Sequence, residues 1–189
     1  MSVRLTLSRS TVLYKEIRAL APLIMETNLL AIDPSCGSTN SVPGWAHFRN
    51  GFLVDSGVMD IDIGAPLHIR LQQVMRATHK LASTTNATIL AYENVPAVRF
   101  HGRGRYTAGS QASLLKAVGV VMAASMTDHA IGLRPSVWKK LVSATYVKSD
   151  RNDAVEMGLI VCQYARHIMR EHPPRVRGSG SKSPNTKEV

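Results

Sequence analysis

Cysteine is nearly absent from this chain. Only Cys36 and Cys162 occur among 189 residues, which excludes a disulfide-stapled scaffold, and their spacing offers neither a metal ligand pair nor a triad partner. Long apolar runs are also missing. None approaches the roughly 18 residues that a membrane span requires, so no membrane insertion is expected. No strand-to-helix Gly-Lys-Ser/Thr loop is present, and the Gly-rich GRGRYTAG stretch lacks that pattern, so it is not a phosphate-binding loop; no small-molecule cofactor is expected. Internal repeats are not visible. Acidic side chains are scarce: 13 Asp and Glu stand against 23 Lys and Arg, for a formal net charge of +10. An excess of that size directs attention to a polyanionic partner, nucleic acid first and an anionic membrane surface second.

What is present describes a globular protein. Hydrophobic residues make up 44% of the chain, too many for a disordered polymer. The length suits one domain with one sizeable core. The basic charge is concentrated at both ends. Residues 1–24 carry Arg4, Arg9, Lys15 and Arg18 against Glu16, and residues 172–189 carry Arg175, Arg177, Lys182 and Lys187 against Glu188. The expected organisation is a basic extension over 1–27, helical or disordered, a domain over 28–171, and a disordered basic tail over 172–189 rich in Pro, Gly and Ser. Val12, Leu13, Ile17 and Leu20 fall along one side of a helix that would dock. A dispensable extension ahead of a start at Met25 stands equal to it. Cysteine usage points to a reducing compartment and hence the cytoplasm, while the basic, acid-poor N-terminus loosely resembles an organellar transit peptide.

The middle of the chain alternates strands and helices. A buried strand is expected over 28–35. Two further runs are split by the hairpin signal Asn50-Gly51. A helix follows from Pro66 to about Thr84, with Leu67, Leu71, Val74, Thr78 and Leu81 on one stripe. A strand over 87–95 comes next, then a helix from about Ser110 to Thr127, a short strand in HAIGLRP, and a short helix capped by Ser136. The last helix opens at Asp150 and carries Ala154, Gly158, Val161, Ala165 and Ile168 on one side. Three antiparallel strands followed by strand–helix alternation imply an α/β fold: a mixed five-stranded sheet with helices on both faces.

Four carboxylates stand where metal chemistry would use them. Asp33 and Glu93 each end an apolar strand. Asp150 and Asp153 are three residues apart, on one side of a helix's first turn. Each has a structural reading as well: Asp33 as a turn former before Pro34, Asp150 as an N-cap, Asp153 as a complement to the helix dipole. The conjunction of all four favours function. Gathered together they repel unless cations separate them, and hard oxygen ligands suit Mg²⁺ or Mn²⁺. Two such ions activate water and stabilise the leaving oxygen of a phosphodiester.

The runs that carry these acids resemble the RuvC family of Holliday junction resolvases. LLAIDPSCGS, GWAHF and GFLVDSG are similar to that family's opening strands, and ILAYENVP to its second acidic strand. GSQASLLKAVGVVMAA is similar to the helix after it, RPSVWKK to the basic segment that follows, and KSDRNDAVEMGLI to the closing helix. The likeness spans about residues 28–171 and is nearest to the compact versions carried by phages. It implies a ribonuclease-H-like fold with the first and fourth strands adjacent. It also implies two Mg²⁺ ions (Mn²⁺ substituting) on Asp33, Glu93, Asp150 and Asp153, and cleavage of branched DNA by a homodimer in recombination or repair. Asp33-Pro34-Ser35 departs from the family's Asp-Pro-Gly, the loop over 37–43 is longer, and Lys139 and Lys140 lie close before Asp150. Lys139, Lys140 and Lys148 are all candidates to neutralise the scissile phosphate.

The loop after Glu93 is the expected DNA reader. Arg99, Arg103 and Arg105 would contact phosphates, and Phe100 or Tyr106 would stack on an unpaired base at a junction. His101 suits a phosphate contact, and the other histidines are scattered. Three other readings share parts of the pattern. KSDRNDA resembles the signature of DEDD transposases, which carry a further domain. A non-catalytic nucleic-acid-binding protein with a relic site would keep the charge and lose the chemistry. An actin-like ATPase fragment begins with a similar strand and hairpin but needs phosphate-loop glycines.

Overall fold

The structure is a computed structural model that describes residue 8 and residues 11–35, 41–94, 108–142 and 146–173. Five strands form one sheet in the order β3-β2-β1-β4-β5. They are β1 (Asn28–Asp33), β2 (Gly44–Arg49), β3 (Phe52–Val58), β4 (Ile89–Glu93) and β5 (His129–Leu133). The turn between β2 and β3 is Asn50-Gly51, with φ of 52° and 76°. That left-handed pair matches the twist of an antiparallel hairpin, as the sequence predicts. β1 pairs antiparallel with β2 and parallel with β4, and β4 pairs parallel with β5. The near-continuous apolar sequences of β1 and β4 follow from this central place, where both faces are covered.

Helices cover both faces. α2 (Leu67–Thr85) and α3 (Ala108–Ser125) lie together on one side, over Leu30, Ile32, Leu90 and Tyr92. α1 (Val12–Glu26) and α5 (Asp150–Glu171) lie together on the other, in one core with Leu29, Ala31, Ile89, Ala91, Ile131 and Leu133. A short helix, α4 (Pro135–Trp138), joins β5 to the segment that leads into α5. The expected α5 stripe of Ala154, Gly158, Val161, Ala165 and Ile168 is buried throughout.

Several local expectations are corrected. In α1 the buried stripe is Leu13, Tyr14, Ile17, Ala21 and Ile24, while Val12 is 68% exposed and Leu20 only partly buried. Val12 precedes Leu13 by one residue and so points about 100° away from the stripe. The Thr11 side chain caps α1 by accepting from the Tyr14 N–H. Ser136 does not cap α4. The chain enters through Arg134, and Pro135 holds the first helical position, where its missing N–H costs nothing. Ser149, not Asp150, caps α5: its hydroxyl accepts from Asn152 N at 3.1 Å. Asp150 is thereby released from capping. β4 is shorter than 87–95, because Asn86 turns left-handed at φ 49° and Ala87 still donates to Ala82 O at the end of α2.

Candidate metal centre

Strand register and side-chain alternation together place the first two acids. Ile32 pairs with Tyr92 in parallel register, so Asp33 and Glu93, one residue further on, leave the sheet side by side. Alternation puts them on the face of Leu29, Ala31, Ile89 and Ala91, beneath α5. A shift of one residue in either strand would turn its acid toward α2 and α3 instead. Both carboxylates are buried, Asp33 at 3% and Glu93 at 9% exposure.

α5 delivers the other two. Its first turn rests on Gly44, the residue paired with Asp33 across β1 and β2. A Cβ at Gly44 would overlap the carbonyl group of Asp150 and stand 2.8 Å from the Arg151 nitrogen. The glycine is a close-approach residue, and it lets the start of α5 come down onto the end of β1. Asp153 is then buried at 4% exposure and Asp150 half-buried. The Val42 N–H, just before β2, donates to Asp150 Oδ2 at 3.2 Å.

Protein donors hold one oxygen of each carboxylate. The Ser35 hydroxyl donates to Asp33 Oδ1 at 2.9 Å. The Trp138 indole N–H donates to Glu93 Oε2 at 3.1 Å, and Lys139 Nζ lies 3.7 Å from the same oxygen. The Tyr146 hydroxyl donates to Asp153 Oδ1. Positive charge is short by comparison. Burial, then the neighbouring Glu93, lifts the Asp33 carboxyl well above its ordinary range, with Asp153 and Asp150 adding to the rise. Burial also lifts Glu93, against the pull of Lys139 and the Trp138 N–H. Asp150 is raised by burial and by Asp153, against the Val42 N–H and the Lys148 charge.

The donor set fits a hard divalent cation. It consists of carboxylate oxygens, and the raised acids mark a cluster that lacks positive charge. Among the described residues no three acids already stand as a closed ligand set.

The raised acids predict a pH dependence opposite to the usual one. Between the ordinary value of 3.8 and its raised folded value, Asp33 binds more protons in the folded state than in the unfolded. Without a divalent cation, stability therefore falls as pH rises through the folded value and returns on acidification. Comparing wild type with Asp33→Asn cancels the contribution of His47, whose folded value is lowered by burial. The wild-type melting midpoint should lie below that of the variant at neutral pH and converge on it toward about pH 4. Saturating Mn²⁺ should reverse the slope, because protons then compete with the cation for the same oxygens. Thermal melts across pH in chelator and in Mn²⁺ provide the measurement.

Of the three candidate lysines, Lys139 stands against Glu93 and Lys148 is near enough to influence Asp150. Among the described residues Lys140 forms no ion pair with the four acids. Arg99, Phe100, His101, Arg103, Arg105 and Tyr106 lie outside the described residues, as does Cys36. The described chain leaves β4 at Asn94, next to Glu93, on the way to these DNA-reading candidates. Sequence reasoning missed Ser35, Gly44, Trp138 and Tyr146. The glycine opening β2 and the tryptophan between Val137 and Lys139 were the available signals.

The chain matches no family model and no curated protein. Solved structures do match. RuvC of Thermus thermophilus in complex with a Holliday junction substrate superimposes with a TM-score of 0.58 at 15% identity, over 75% of this chain and 96% of that one. The fold is that of RuvC. A second Thermus thermophilus RuvC structure matches with a TM-score of 0.52 at 14% identity and the same coverage. The mixed five-stranded sheet with helices on both faces is what the element order predicts, and its match to RuvC is the ribonuclease-H-like fold that the resemblance implies.

Proposed function

We propose that this protein is a divalent-metal-dependent endodeoxyribonuclease that cleaves branched DNA, four-way junctions foremost. One observation carries the reading: Asp33, Glu93 and Asp153, all buried, and the half-buried Asp150 lie together at one end of two adjacent parallel strands, short of positive charge. Structural packing alone gives no reason to gather four acids in a chain of net charge +10. The RuvC fold supports it, since one RuvC with that fold was solved on a Holliday junction.

Asp33, Glu93 and Asp153 would hold two Mg²⁺ ions, with Mn²⁺ as substitute, and Asp150 would serve as fourth ligand or orient the attacking water. Such ions supply an activated water and stabilise the leaving oxygen. The residues of the chain do the rest. Lys139, beside Glu93, is the first choice to neutralise the scissile phosphate, with Lys148 and Lys140 after it. Arg99, Arg103 and Arg105 would track the backbone, and Phe100 or Tyr106 would wedge at the branch point. A four-way junction presents two equivalent strands and one chain carries one cluster, so a homodimer would nick both.

The test is cleavage of labelled four-way junctions, flaps, linear duplex and single strands in Mg²⁺ and in Mn²⁺. Paired nicks near the crossover, at rates at least about 100-fold above linear duplex, are expected; a factor of that size needs only about 3 kcal/mol of preference. Equal cleavage of linear DNA would favour a transposase-like or general nuclease of the same fold. Tight, salt-sensitive binding without metal-stimulated cleavage would favour a relic site.

A further inference from the structure

Two aromatic residues grip the acids without a place in the roles above. Trp138 is fully buried, and its indole N–H ends on Glu93 Oε2 at 3.1 Å. A buried indole needs an acceptor, and here it takes a carboxylate. Tyr146 is half-buried outside the hydrophobic core, and its hydroxyl donates to Asp153 Oδ1. The two rings meet edge to face, with centroids 6.4 Å apart and planes at 89°. Lys139 completes the arrangement, 4.9 Å from the Trp138 ring centroid and 3.7 Å from the same Glu93 oxygen.

Glu93 ends β4 and Asp153 lies in the first turn of α5, so no secondary structure links them directly. The aromatic pair does. Core filling explains the size of Trp138 but not the direction of its N–H, and it explains nothing about the Tyr146 hydroxyl. Each donor engages one oxygen of its carboxylate, Oε2 of Glu93 and Oδ1 of Asp153, and among the described residues no hydrogen bond engages the other.

We infer that Trp138 and Tyr146 form a positioning clasp: through their N–H and O–H they fix the side chains of Glu93 and Asp153, so that the other oxygen of each would be held ready for a cation. This rests on the reading of the four acids as cation ligands. Donors behind a metal ligand restrict its rotation and are typically worth 10- to 100-fold in metal affinity.

Trp138→Phe and Tyr146→Phe, made in the full chain, keep an aromatic ring and remove the polar hydrogen. Cation uptake is read in two ways, by thermal stabilisation in Mn²⁺ and by terbium luminescence sensitised through the aromatic side chains. The half-saturating concentration of each ion should rise about tenfold in each variant, and less than multiplicatively in the double variant, because the rings touch. Tyr146→Phe should melt close to wild type in chelator, so its shift in cation midpoint is not a folding effect. It carries the test alone if Trp138→Phe does not fold. Midpoints within about twofold of wild type, or tighter binding by Tyr146→Phe, would overturn the clasp. A wild-type protein that takes up neither ion would overturn both the clasp and the functional reading.

Discussion

Asp33→Asn is expected to abolish junction cleavage while leaving junction binding intact and raising the stability of the cation-free protein. The carboxylate is buried at 3% exposure and is crowded by Glu93, Asp153 and Asp150. Asparagine keeps its shape and removes its charge. On the proposed reading an oxygen ligand would be lost, so cleavage should fall by more than about 100-fold, beyond what a change in the outer shell of a metal site costs. Repulsion is relieved, and each kcal/mol of relief raises the melting midpoint by about 2–4 °C in a chain of this size. Binding to labelled junctions in chelator should match wild type or exceed it, because the cluster no longer repels phosphates as strongly. Cleavage at the wild-type rate in Mg²⁺ would remove Asp33 from the site.

Gly44→Ala should uncouple the site from the fold. The added methyl group would overlap the backbone carbonyl of Asp150. No side-chain rotamer can relieve a clash between main-chain atoms, so the first turn of α5 must lift. Overpacking of this kind costs about 1–3 kcal/mol. The larger effect falls on function: Asp150 and Asp153 ride on that turn, while Asp33 and Glu93 stay with the sheet. Stabilisation by Mn²⁺ should shrink sharply, and cleavage should fall to near the level of Asp33→Asn. Gly119→Ala is the contrasting change. A Cβ there meets nothing within 4 Å, and an alanine inside a helix stabilises by about 0.5–1 kcal/mol relative to glycine. If Gly44→Ala keeps full cation response and activity, the seating of α5 on Gly44 does not set the site.

The local signals in the chain were strong where chemistry is local. Asn50-Gly51 announced its turn because few other residues tolerate positive φ twice in succession. Strands β1 and β4 read as buried because their apolar runs are unbroken until the terminal acid. The α5 stripe was legible because its spacing repeats over the whole helix. Caps were read less well: Ser149 and Arg134 differ from the expected positions by one or two residues, since several neighbours compete for each cap. The spacing of Val12, Leu13, Ile17 and Leu20 does not fix which side of α1 is buried, because four residues of pattern leave the phase of a short helix open.

The four acids were recognisable one by one, but their meeting was not a property of any segment. Val42 and Asp150 touch across 108 positions of sequence, and nothing local to either names the other. Gly44 acquires its role only when α5 lies on it. Trp138 and Tyr146 become donors to Glu93 and Asp153 only once β4, α4 and α5 have closed around them. The sequence by itself determined the order and kind of the elements, because periodicity, turn chemistry and apolar runs act within a few residues. Only the tertiary structure decided which face the acids share and what grips them, because register and helix seating are set by contacts between distant parts of the chain.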